Sequence, residues 1–114
     1  MDIKTREIKD ILIYDVKGEI RIGEEMPVML HDHVKKQLEL GKRYFLFNLL
    51  DVNYIDSFGV GQVVGSLISI KKAGGKLKIA NLAPRIRFVF DVTGISRIVK
   101  IVDDEETAIK NYSD

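Results

Sequence analysis

An aspartate and a serine stand side by side ahead of a glycine-containing segment, in Asp56-Ser57-Phe58-Gly59-Val60-Gly61. Apolar residues at helical spacing follow the pair, which therefore marks the start of a helix. Asp and Ser are among the residues preferred at helix N-caps, where a side-chain oxygen accepts a hydrogen bond from a free backbone amide. The first interpretation is that Asp56 or Ser57 caps this helix.

The glycines of this helix suggest a second interpretation, nucleotide binding. Gly59, Gly61 and Gly65 resemble a dinucleotide fingerprint at a helix start. The match is poor, because we expect a loop of several residues before the helix, and the next strand ends at Asn81-Leu82 rather than at an acid. A glycine-lysine-serine phosphate loop is also missing. We therefore expect no oxidoreductase or NTPase chemistry and no cofactor, and we expect the three glycines to let the helix lie close on the sheet.

Other side chains that could do chemistry form no constellation. His31 and His33 lie two apart on a predicted helix and point to different sides, so they cannot chelate one metal ion, and we interpret them as surface histidines. Asp51, Asp56 and Asp91 have no histidine or second carboxylate at a spacing that would place it beside them. Cysteine is absent, which excludes disulfides, thiolate metal sites and thiol nucleophiles. We predict no metal site and no enzyme activity.

The composition is typical of one folded domain spanning residues 1–114. Hydrophobic residues make up 46% of the chain and charged residues 31%, and the formal net charge is +1. This charge provides no field that would attract nucleic acid or anionic lipid, and the basic residues near Arg85 are interpreted as a solvated face. The N-terminus lacks the apolar segment of a signal peptide, and the longest apolar stretches are too short to span a membrane. We expect a cytoplasmic protein with no membrane partner.

The elements that must position the aspartate and serine alternate between strands and helices. The first twenty-two residues predict a hairpin with a turn at Lys9-Asp10, and its first strand is expected at the sheet edge. Residues 44–50 are apolar at nearly every position, which is typical of a central strand covered on both faces. Further strands are predicted over 76–82 and 97–102. Residues 51–56 are interpreted as a loop at the carboxyl end of the central strand.

Four helices are predicted between these strands. Helical spacing begins at Met26 and Gly41 closes the first helix, while the second is ended by Ala73-Gly74-Gly75. Pro84 begins the third, and the acids of residues 103–106 begin a short last helix. Alternating strands and helices imply right-handed crossovers. The predicted fold class is α/β, with a mostly parallel sheet, an N-terminal antiparallel hairpin and about four helices.

With these motifs and this order of elements, the sequence resembles the STAS domains, in particular the stand-alone anti-sigma factor antagonists of bacteria. The resemblance spans nearly the whole chain. It is carried by Asp56-Ser57 followed by Gly59-Val60-Gly61, by Lys71-Lys72-Ala73-Gly74-Gly75, by Leu77-Lys78-Ile79-Ala80-Asn81, and by Phe90-Asp91-Val92-Thr93-Gly94-Ile95. It implies a single STAS domain over residues 1–114.

The resemblance implies a switch controlled by phosphorylation. An unphosphorylated antagonist binds an anti-sigma factor that is also a serine kinase, which frees a sigma factor; phosphorylation of the motif serine releases the antagonist, and a serine phosphatase restores it. Ser57 matches the phosphoacceptor and Asp56 the aspartate before it. The alternative is a STAS domain that senses a small molecule or serves as a subunit of a transport or signalling assembly, without phosphorylation.

The predicted partner-binding residues are Asp56, Ser57, Phe58, Gly59 and Arg21. The chain has Phe58 where the antagonists usually have serine or threonine, and Arg21 where many have aspartate. Phe58 is an aromatic anchor if it is exposed, although burial in the core is the more ordinary expectation for it. A reversed charge at Arg21 suggests a different partner. Neither the oligomeric state nor the identity of the sigma factor follows from the sequence.

Overall fold

The computed structural model describes residues 1–23 and 29–113. Within them, five strands form one sheet in the order β1-β2-β3-β4-β5. The strands are β1 (Asp2–Ile8), β2 (Ile11–Ile20), β3 (Tyr44–Ile55), β4 (Lys76–Ala80) and β5 (Lys100–Val102). The hairpin of β1 and β2 is antiparallel, and every other neighbouring pair is parallel. The predicted α/β class, the hairpin and the edge position of β1 are confirmed.

Four α-helices and a short 3₁₀ helix connect the described strands. They are α1 (Leu30–Glu39), α2 (Ser57–Lys72), α3 (Pro84–Val92), the 3₁₀ helix Ile95–Arg97 and α4 (Glu105–Lys110). The predicted helix ends at Gly41 and Gly74 are confirmed, because both glycines adopt positive φ angles just after α1 and α2. The predicted start of the first helix at Met26 lies outside the described residues.

Both faces of the central strand β3 are covered. Phe45 and Phe47 contribute to a large core that packs against α1, α2 and α3, while Leu46 joins a smaller core on the opposite face with Ala108 of α4. All three β3 side chains are fully buried. The prediction that 44–50 is a central strand is confirmed, and α2 begins directly at its carboxyl end.

Three predicted boundaries are wrong. Residues 51–55 are not a loop, because β3 pairs with β2 as far as Ile20 opposite Ile55. Strand β4 stops at Ala80, since Asn81 adopts a left-handed φ of 63°. Strand β5 starts at Lys100 rather than residue 97, because the 3₁₀ helix occupies the residues after Gly94. Because β3 extends to Ile55, there is no loop of several residues before α2. The sequence-based argument against a dinucleotide site that depended on this loop is therefore not valid.

Candidate functional site at the start of helix α2

Asp56 joins the end of β3 to the start of α2 and caps the helix. Its backbone is extended, and Oδ1 accepts a 2.9 Å hydrogen bond from the amide of Gly59. Oδ2 accepts a 3.0 Å bond from the amide of Ile22, which follows β2. These backbone donors hold the pKa of the Asp56 carboxyl below its ordinary value. One carboxylate thus fixes both the first turn of α2 and the chain leaving β2.

Ser57 is the first residue of α2 and its side chain is exposed. No hydrogen bond joins its hydroxyl to any residue of 1–23 or 29–113. The sequence allowed either Asp56 or Ser57 as the helix cap. Asp56 accepts the capping hydrogen bond and Ser57 does not, so Asp56 is the cap. The hydroxyl of Ser57 stands free at the amino end of a 16-residue helix.

Gly59 lies against the end of β2. A Cβ atom at this position would lie 2.2 Å from the carbonyl oxygen of Ile20 and 2.7 Å from Cγ1 of Ile55. The expectation that the glycines let α2 approach the sheet is confirmed here only. Gly65 instead gives room to the ring of His31, and no neighbouring element among residues 1–23 and 29–113 comes within 4 Å of a Cβ added at Gly61. Atoms of Ile20 and Ile55 occupy the space beside Gly59, so a dinucleotide phosphate could not bind there.

Of two further predicted partner-binding side chains, one is partly exposed and the other is fully on the surface. Phe58 is partly exposed and belongs to neither core cluster, so the expectation that it is buried in the core is wrong. Arg21 is exposed, and its Nε lies 2.6 Å from Oε1 of Glu19. Arg21 and Asp56 line the same open hollow, together with Glu19, Ile22 and Tyr54. The sequence had missed Ile22 and Tyr54, because their place beside Asp56 depends on the length of β3.

His31 and His33 are half-buried, so their interpretation as surface histidines is wrong. His31 Nε2 lies 2.8 Å from the hydroxyl of Ser69 on α2, and His33 Nδ1 lies 2.7 Å from the hydroxyl of Tyr14 on β2. The two rings point to different neighbours, as predicted. Loss of hydration, followed by nearby lysines, lowers the pKa of both imidazoles below the ordinary 6.5. Both histidines therefore tie α1 to its neighbours in the neutral form.

The other predicted acids stand apart from this site. Asp51 is exposed on β3, and Asp91 on α3 accepts a 2.5 Å hydrogen bond from Ser96 and lies 3.7 Å from Arg87. Among the described residues, no group of three or more His, Asp or Glu side chains could hold a metal ion.

Comparison with known proteins identifies the family. A model of the STAS domain matches residues 2–108. The chain belongs to the STAS domain family. In the part of this STAS domain that the structure covers, no helix is long and apolar enough to cross a membrane.

Relatives of this STAS domain protein include named regulators. An anti-sigma-B factor antagonist of Bacillus subtilis is 42% identical over 62 residues, which are 54% of this chain and 57% of that protein. The matched stretch is thus less than two thirds of the relative's length. The crystal structure of Thermotoga maritima TM1081 has a TM-score of 0.81 at 27% identity, covering 95% of this chain and 92% of that one. The phosphorylated form of the Bacillus cell fate determinant SpoIIAA has a TM-score of 0.72 at 19% identity, covering 97% and 99%, and shares the fold.

Proposed function

We propose that this STAS domain protein is an anti-sigma factor antagonist whose partner binding is switched off by phosphorylation of Ser57. The observation that carries the proposal is the hydroxyl of Ser57, which is exposed at the first position of α2 and bonds to no other described residue. Because Asp56 performs the capping, the fold does not need this hydroxyl. An exposed serine at a helix start, whose hydroxyl the fold does not use, is accessible to a kinase.

The proposed partner is an anti-sigma factor that is also a serine kinase and uses ATP. The Ser57 hydroxyl oxygen attacks the γ-phosphorus, and a new oxygen–phosphorus bond forms as the bond to the bridging oxygen breaks. ADP leaves, and the hydroxyl proton passes to a base of the kinase. A serine phosphatase reverses the change by hydrolysis. Water attacks the phosphorus, the bond between phosphorus and the serine oxygen breaks, and the products are the serine hydroxyl and inorganic phosphate. In this proposal the protein is a substrate and ligand in the cytoplasm and catalyses nothing itself.

The fold can accept the phosphate while an interface cannot. A phosphate adds about −1.5 to −2 charges at pH 7. The positive end of the α2 dipole and its free amides stabilise an anion at this position. In a packed contact the same group must be desolvated, and it stands next to the Asp56 carboxylate. A penalty of about 3 kcal/mol would weaken binding more than a hundredfold.

The proposed contact surface consists of Asp56, Ser57, Phe58 and Arg21, whereas Gly59, the fifth predicted partner-binding residue, is buried and supports the turn from inside. Partly exposed Phe58 is its apolar anchor, because aromatic side chains supply much of the energy of protein interfaces. Arg21 adds a positive charge at the rim. The amide of Gly59 belongs to the same turn through its bond to Asp56.

The test is to incubate the protein with ATP and each serine kinase encoded in its own genome, and to locate phosphate by mass spectrometry. We expect one phosphate on Ser57 and none in the Ser57→Ala variant. The Phe58→Ser variant, which offers a second hydroxyl in the same turn, controls for the choice of acceptor. No phosphate on Ser57, together with unchanged partner binding by Ser57→Asp, would reject the switch and favour a small-molecule or assembly role.

A further inference from the structure

The chain leaving β2 is held against the start of α2. The carbonyl of Ile20 accepts a hydrogen bond from the amide of Asp56 at 3.3 Å, and the amide of Ile22 donates to the Asp56 carboxylate at 3.0 Å. Arg21 is the residue between these two contacts. Neighbouring Cα atoms are about 3.8 Å apart, so the backbone of Arg21 lies beside Asp56. Asp56 directly precedes Ser57 in the chain.

The charges in the hollow beside Asp56 are unequal. Its described lining contains two carboxylates, Glu19 and Asp56, and a single cation, Arg21. The Asp56 carboxylate is already occupied by two backbone amides. Arg21 is paired with Glu19, but the side chains of this pair are 47% and 46% exposed, and ion pairs so open to water are weak. Arg21 is therefore available to a stronger anion that appears nearby.

We propose that Arg21 leaves Glu19 and binds the phosphate on Ser57 within the same chain. This inference rests on the proposed function, since it requires phosphorylated Ser57. A phosphate carries up to twice the charge of a carboxylate, and the planar guanidinium can bind two of its oxygens. The capture withdraws Arg21 from the partner surface at the moment when the phosphate is added. One modification thus changes two positions of the interface.

The inference is tested on protein that carries phosphoserine at position 57, installed during translation so that no kinase is needed. Phosphorus NMR follows the second ionisation of the phosphate, whose ordinary pKa is near 6. A guanidinium bound to the phosphate lowers this pKa, so we expect it to be about 0.5 or more lower in the wild type than in Arg21→Gln. Arg97→Gln removes an equal charge outside the hollow and is expected to leave the pKa as in the wild type.

Two further variants separate binding from a general effect of charge. Arg21→Lys keeps the positive charge but loses the planar fork, so an intermediate pKa is expected. Glu19→Gln removes the competing carboxylate, and its effect on the phosphate pKa should be larger with Arg21 present than in Arg21→Gln. Equal phosphate pKa values in the wild type and Arg21→Gln would overturn the capture. That result is distinct from failure of the proposed function, which is measured by kinase treatment and partner binding of the unmodified chain.

Discussion

Replacing Gly59 by alanine tests how closely α2 lies on the sheet. The added Cβ would lie 2.2 Å from the carbonyl oxygen of Ile20. An ordinary nonbonded contact is more than 3 Å, so helix and strand must separate by about 1 Å. The obstructing atom is backbone, and it also accepts the amide of Asp56, so it has little freedom to move.

The magnitude follows from two opposed effects. Overpacking at a rigid site costs about 3 kcal/mol, at the upper end of its usual range. Alanine is favoured over glycine in a helix by about 1 kcal/mol. We expect Gly59→Ala to lower the free energy of unfolding by about 2 kcal/mol, which corresponds to a fall in Tm of about 8 °C.

Gly61→Ala is the matched control in the same helix. Apart from its chain neighbours and the backbone of its own helix, no atom of the described residues lies within 4 Å of its added Cβ, so only the helix propensity changes. We expect stabilisation by up to about 1 kcal/mol. Urea unfolding of the two variants should therefore give shifts of opposite sign. Equal stability of Gly59→Ala and Gly61→Ala would refute the close approach of α2 to β2.

Three further predictions concern the contacts that hold the helices in place. The hydroxyl of Tyr112 bonds to three backbone atoms of β3 and β4, so Tyr112→Phe should lower the free energy of unfolding in urea by about 1–3 kcal/mol. Since the folded state lowers the pKa of His31 and His33, the unfolded chain binds more protons than the folded chain below pH 6.5. The free energy of unfolding should therefore fall as the pH drops below that value. Urea titrations at several pH values should show a flatter pH dependence when both histidines are replaced by Gln. Asp56→Ala should speed hydrogen exchange at the amide of Gly59, and unchanged exchange there would contradict the cap.

The core of the fold could be predicted because apolar periodicity reports burial directly. The end of β3 could not, because its alternation is interrupted. Register shifts against β2 occur between Asp15 and Lys17 and between Gly18 and Glu19, so the buried residues Val52 and Ile55 are three apart rather than two. A strand with such irregularities reads as a loop in sequence.

Asp56 and Ser57 can be selected from the sequence as candidate site residues, but their contacts cannot be predicted from it. The adjacency of Asp56 and Ser57 is visible in sequence, whereas the choice of Asp56 as the cap depends on side-chain geometry. Its bond to Ile22 joins residues 34 apart, and the bonds of His31 and His33 to other elements are also long-range. No local pattern carries such information.

The most direct test of the phosphorylation switch compares two forms of one protein, unmodified and with phosphoserine at position 57, in binding to the anti-sigma factor kinase encoded in the same genome. Isothermal titration calorimetry without ATP measures Kd for each form. The account predicts a measurable complex for the unmodified protein and binding weaker by at least about a hundredfold for the phosphoserine form. Equal Kd values for the two forms would contradict it.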